Sequence, residues 1–281
     1  MTYNTYEISS FGGRPIALYE FQYGNTYWRY CTADEDQTVG LDENGDPAVW
    51  TALAISDDGV KQGGSDQNDL QIQTQINNPV AGLFRNTQPS GKVWLTVRRW
   101  HIGDPDDETP LLWKGTVINA TEDDPATVRL VCRSLGGTYD RNGLRLAWSR
   151  MCPHVLYGIG CNRNGSNDKE DHAYAREIAT LDGVSFTCVT HAEPTEGTFT
   201  GGFVEWSRTD GSLVRRGIES QSGNYFLLLG TTDGLEIGTA VTIYPGCSRS
   251  TTNCKAFGNL ANFGGFPHLP GKSPFDGTPI F

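Results

Sequence analysis

Basic residues, methionine and long apolar runs are what this 281-residue chain has little of: 22 Lys and Arg stand against 33 Asp and Glu, and only two residues are Met. The formal net charge of −11 repels a polyphosphate backbone, so non-specific nucleic-acid binding is not expected. Apolar runs reach about four residues, as at 226–229, far short of the roughly 18 that span a bilayer, and no direct membrane anchor is expected. The opening Met-Thr-Tyr-Asn-Thr-Tyr-Glu7 has neither a basic n-region nor an apolar h-region, so the protein is expected to be made in a cytoplasm without secretion. Catalytic signatures are missing as well. There is no Gly-x-Ser-x-Gly and no His-Glu-x-x-His, and Gly158-Ile-Gly160 runs into Cys-Asn-Arg without the third glycine of a dinucleotide fingerprint. Cys188 lies three residues before His191, but neighbours in one strand rarely reach nucleophile–base geometry. The acidic turns, such as Asp42-Glu-Asn-Gly-Asp46, lack the ligand pattern of an EF-hand. An enzyme is therefore not expected.

What is present points to an all-β chain. Thirty-four Gly and 14 Pro, with 11% aromatic residues, favour short strands and tight turns. Residues 15–22 and 26–32 flank Tyr23-Gly24-Asn25, a hairpin signal. Leu70, Ile72, Thr74 and Ile76 alternate with Gln, as a half-buried strand requires, and 92–102 and 128–132 repeat that period. Later strands are predicted within 177–190 and at 202–207, 213–219, 224–230 and 240–244, with a short helix over 171–178. Six of the seven Trp precede Arg150 and all the paired Cys follow it. The predicted organisation is an N-terminal β-barrel or sandwich over 1–150 and a smaller β-rich, Cys-rich metal-binding domain over 151–281. The latter ends in an irregular tail, 255–281, whose Phe257, Phe263, Phe266, Phe275 and Phe281 argue for order, since disordered tails are poor in aromatics. Trp94, Trp100, Trp113 and Trp148 are candidates for subunit contacts, with core burial the default.

Seven Cys divide by position. Cys31, Cys132 and Cys188 sit singly in strand-like runs and read as small buried hydrophobes. Cys152 with Cys161, and Cys247 with Cys254, form two pairs flanked by Gly and Pro. Four thiolates gathered by a β scaffold select zinc or an iron-sulfur cluster. The intervals within each pair exceed the two to four residues usual for structural zinc, without excluding it, and local disulfides or unrelated thiols are the other reading. His154 and His268 lie close enough in sequence to act as ligands or as donors to ligands.

The motifs Cys152-Pro-x-x-Leu-Tyr-Gly-x-x-Cys161, Tyr244-Pro-Gly-Cys247 with Cys254, and Phe257-Gly-Asn-Leu-Ala-Asn-Phe-Gly-Gly-Phe-Pro-His-Leu-Pro-Gly271 resemble the C-terminal region of tail-tip (baseplate) hub proteins of long-tailed bacteriophages. That family includes phage lambda tail-tip protein L and the hub protein of gene transfer agents. The resemblance is carried by the C-terminal half. It implies a 4Fe-4S cluster on Cys152, Cys161, Cys247 and Cys254, and a homotrimeric hub that closes the tail tube. Such a hub joins the distal tail protein to the central spike or fibre protein, as a virion component assembled in the host cytoplasm. DNA would pass nearby without specific binding, in keeping with the acidic balance. A cluster-dependent redox protein and a zinc-bound hub are the alternatives. The phenylalanine-rich tail is expected to cover the metal group.

Overall fold

The computed structural model describes residues 2–9, 11–60, 69–85, 88–138, 146–165, 167–189, 197–209 and 211–270; His191, Phe275 and Phe281 lie outside them. Two units make up the chain: Met1–Arg141 with Arg208–Val214, and Asn142–Ser207 with Arg215–Phe281. Among the described residues no helix is long and apolar enough to cross a membrane.

The first unit carries two short helices, α1 (Thr2–Glu7) and α2 (Pro79–Gly82). Its strands are β1 (Pro15–Tyr23), β2 (Thr26–Cys31), β3 (Gln37–Leu41), β4 (Pro47–Ala52), β5 (Ser56–Asp57), β6 (Leu70–Gln75), β7 (Val93–His101), β8 (Leu111–Glu122) and β9 (Thr127–Ser134). They form a nine-stranded sheet in the order β3-β4-β2-β1-β7-β8-β9-β6-β5. The β1–β2 hairpin turns on Gly24, whose φ of +59° suits a residue without Cβ. In β6, Leu70, Ile72 and Thr74 are buried while the intervening Gln residues are exposed, and Leu70 pairs with Cys132 in β9. Cys31 and Cys132 are fully buried in this unit's core, as two of the three single cysteines were expected to be. Trp100 and Trp113 are core residues too, whereas Trp148, in the second unit, is 75% exposed.

In the second unit β10 (Tyr174–Asp182), β11 (Ser185–Cys188), β12 (Phe203–Ser207), β13 (Leu213–Ser222), β14 (Tyr225–Leu228) and β15 (Ala240–Tyr244) close into a barrel, β10-β11-β14-β13-β12-β15. The closed barrel thus lies in the Cys-bearing part, and the N-terminal unit is the sheet. The helix predicted over 171–178 is corrected. Only a single 3-10 turn, Lys169–His172, forms there, and from Tyr174 the chain pairs with β15. Ile178, Phe186, Cys188, Phe199, Val204, Ile218, Phe226 and Ile243 are buried, and the Phe186 and Phe226 rings stack at 5.2 Å.

One carboxylate belongs to this barrel's buried set. Glu205 in β12 is 5% exposed and accepts hydrogen bonds from Arg215 Nε at 2.8 Å, from Arg215 Nη2 and from Lys169 Nζ at 3.0 Å. Burial pushes its pKa up, but the Arg215 and Lys169 donors outweigh that and hold it below the ordinary 4.5. A depressed folded-state pKa contributes stability that is present above the unfolded value and lost as pH falls through the folded value. Urea midpoints of the wild type are therefore expected to fall below about pH 4.3. Glu205→Gln, costing about 2 kcal/mol near neutrality through loss of charged hydrogen bonds, should remove this component. Parallel pH profiles of the two proteins over that range would contradict the assignment.

Candidate metal centre

The four paired cysteines come from three kinds of local structure. Cys152 and Cys161 bound an irregular loop, Cys247 follows the end of β15, and Cys254 sits in the helix α3 (Thr251–Ala256). Ser250 caps α3 by accepting from the Asn253 N–H at 3.2 Å, which turns the chain so that Cys254 is buried. The first loop is closed by Cys161 N–H donating to Gly158 O at 2.8 Å. Tyr157 takes φ +57° in that loop, a conformation costing about 1–2 kcal/mol for an L-residue. Its ring packs against His172, Phe203, Tyr244 and Phe257, and its hydroxyl donates to Pro245 O at 3.2 Å. Cys152 N–H donates to Arg249 O at 3.0 Å, tying the first pair's loop to the second's.

All four cysteines line one cavity of about 80 Å³, together with His154, Leu156, Gly201, Arg249, Asn259 and Asn262. That is several times the ~10–15 Å³ that one water needs. Yet among the described residues no three His, Cys, Asp or Glu side chains come close enough to hold a single metal ion. A set of four thiols has the ligand chemistry of a tetrahedral zinc ion or of an iron-sulfur cluster. Burial pushes the Cys247 and Cys254 thiols up, and the neighbouring thiols add to this for both; the Arg249 amide works against it at Cys247. A cation bound among them would relieve that cost.

Donors to sulfur surround the cavity unevenly. Gly264 N–H approaches Cys152 Sγ at 3.5 Å, and Arg249 N–H approaches Cys247 Sγ at 3.3 Å. Cys161 Sγ accepts from the side-chain amides of Asn167 at 3.2 Å and Asn259 at 3.4 Å. Cys254 Sγ lies 3.2 Å from Asn259 O. His154 lines the cavity with its Nδ1 3.1 Å from Asn262 O, whereas His268 is exposed and does not line it.

The tail reaches the cavity, but its described phenylalanines do not line it. Phe257 packs on Tyr157 and His172, and Phe266 stacks on Trp148 at 4.5 Å. Asn259 and Asn262 contribute the lining instead. The Gly264-Gly265 pair allows the approach: a Cβ on Gly264 would lie 2.6 Å from His154 Nε2, and one on Gly265 would lie 2.7 Å from the carbonyl oxygens of Arg150 and Met151. Phe266 N–H then donates to Ser149 O at 2.8 Å, and Arg150 Nε donates to Leu269 O at 2.6 Å. Cys247 also lines a wider cleft of about 640 Å³ with His172, Thr198, Thr200 and Asn253.

Residues 197–273 match the family described as phage conserved hypothetical protein BR0599. The matched stretch contains Cys247, Cys254 and the asparagine-bearing tail, and begins after Cys152 and Cys161. In fold, the chain is similar to a chain of the virion of a native gene transfer agent particle, with a TM-score of 0.72 over 99% of each chain at 16% identity. No curated protein matches the chain.

Proposed function

We propose that this chain is a structural, non-enzymatic component of a phage-type virion: a homotrimeric tail-tip hub that closes the tail tube and joins the distal tail protein to the central spike or fibre protein. Cys152, Cys161, Cys247 and Cys254 hold a 4Fe-4S cluster in it. The observation that carries the cluster reading is the convergence of four thiols on one cavity. When bound, the cluster supplies a covalent tie between the loop before the barrel and the segment after β15, one that can form in a reducing cytoplasm. The hub reading rests on the motif resemblance, the phage family match over 197–273 and the likeness of fold to a virion chain. An acidic component suits a channel that passes DNA without retaining it.

Iron, acid-labile sulfide and visible absorption measured on anaerobically purified protein test the cluster. The expected result is about four of each per chain. Colourless protein with stoichiometric zinc would replace the cluster by the zinc-bound hub. Light scattering with and without distal tail protein tests the hub, and a monomer that binds neither neighbouring tail protein would overturn it.

A further inference from the structure

Cys161 Sγ accepts from two side-chain amides, whereas Cys152 and Cys247 each accept from one backbone N–H, and that asymmetry carries a consequence for electron distribution. Asn167 is 2% exposed and Asn259 3%, so both amides are fixed groups inside the unit. Asn167 Oδ1 lies 2.9 Å from His172 Nε2, and its backbone N–H donates to Asn162 Oδ1 at 2.9 Å. With the His172 N–H occupying the amide oxygen, the NH2 end of Asn167 faces Cys161 Sγ. Asn259 is held in the same sense. Its Oδ1 accepts from Asn262 Nδ2 at 2.7 Å, and its Nδ2 donates to Cys161 O at 2.6 Å and to Cys161 Sγ at 3.4 Å. The donors described for Cys247 and Cys152 are backbone N–H groups, and Cys254 Sγ faces the carbonyl oxygen of Asn259.

We propose that Asn167 and Asn259 are positioning residues that clamp Cys161 Sγ between two amide N–H groups and so raise the reduction potential of the group bound there, making the Cys161 corner the side on which added negative charge is best stabilised. The physical basis is charge assistance. With a cluster held there, an electron supplied by an external donor such as dithionite would place part of its charge on the ligand sulfurs, and a buried N–H···S bond strengthens as the sulfur becomes more negative. Two such bonds on one sulfur and carbonyl oxygen beside another polarise the site along the line from Cys254 to Cys161. This rests on the cluster reading of the four cysteines and adds which protein groups set its potential.

The test compares wild type with Asn167→Leu and Asn167→Asp, each purified anaerobically and titrated with dithionite and mediators. Asn167→Leu loses the donor, and its reduction equilibrium is expected to become about tenfold less favourable, ~59 mV lower for a one-electron couple. Asn167→Asp puts carboxylate oxygen against the sulfur and is expected to lie lower still. His172→Phe releases the amide's orientation and should fall between wild type and Asn167→Leu. Melting temperatures of the metal-free proteins serve as the second readout, since a merely structural role would move these without ordering the potentials. Wild type without iron and sulfide would fail the cluster reading itself; iron-loaded variants sharing the wild-type potential would overturn the clamp alone.

Discussion

Gly246→Ala is expected to lower the unfolding free energy of the second unit by more than about 3 kcal/mol, or roughly 10 °C in melting temperature. A Cβ at this position would sit 1.9 Å from Thr200 O, 2.6 Å from Gly202 N and 2.7 Å from the carbonyl carbon of Gly201. All three obstacles are backbone, so no rotamer change relieves them, and the usual 1–3 kcal/mol range for an overpacked side chain is a lower bound. The approach is mutual: a Cβ on Gly202 would lie 2.1 Å from Tyr244 O. The segment entering Cys247 and the turn entering β12 can therefore approach this closely only because both lack side chains there, and Gly246 N–H donates across to Thr198 O at 3.0 Å. Gly183→Ala provides the contrast. Its φ is +54° but a Cβ would meet nothing within 4 Å, so only the left-handed conformation is penalised, by about 1–2 kcal/mol. Chemical denaturation of both variants separates the two mechanisms, and equal losses would show that the close approach does not matter. Because Cys247 follows immediately, the proposed cluster should be lost more readily from Gly246→Ala than from Gly183→Ala, read as iron content.

The parts of the fold that could be read from residue order are those where burial follows the backbone period. In β6 and β9 every second residue is buried, and such alternation is independent of what the rest of the chain does. β8 escaped because its alternation is broken by an irregularity between Val117 and Asn119, and because Gly115 stands inside the strand where a Cβ would lie 2.1 Å from Arg133 O. The acidic residues at Glu170 and Asp171 look like the first turn of a helix, but pairing of Tyr174–Glu177 with β15 outweighs that local preference. At the candidate centre the grouping of the four cysteines was legible in their arrangement as two pairs flanked by Gly and Pro, and all four line one cavity. Asn167, Asn259 and Asn262 were not legible. Asparagine is ordinary in turns, and Asn259 reaches Cys161 from 98 positions away, a proximity that exists only after the barrel has closed. Within the described part of the tail, Asn259 and Asn262 line the cavity, while Phe257 and Phe266 pack on other aromatics.

Removal of any one of the four paired cysteines is expected to cost nearly as much as removal of two. The proposed shared group, joining Cys152 and Cys161 to Cys247 and Cys254, would close the loop of residues 162–246, which contains all six strands of the barrel. Chain-entropy reasoning for a crosslink over a loop of that size gives about 4–5 kcal/mol, and most of it disappears when the group is lost, whichever ligand is missing. Cys161→Ala and Cys247→Ala should each lose the visible absorption and several kcal/mol of stability, and the double variant should lose little more, a strongly non-additive cycle. Treatment of wild type with an iron chelator under reducing conditions should reproduce the melting curve of the single variants and leave those variants unchanged. Cys132→Ala is the control, because Cys132 is fully buried in the sheet of the other unit. It should cost about 1 kcal/mol through its small cavity and leave iron content untouched. Small and additive losses across the four cysteines would mean that the thiols act independently, and the cavity they line would then be a packing gap with no shared occupant.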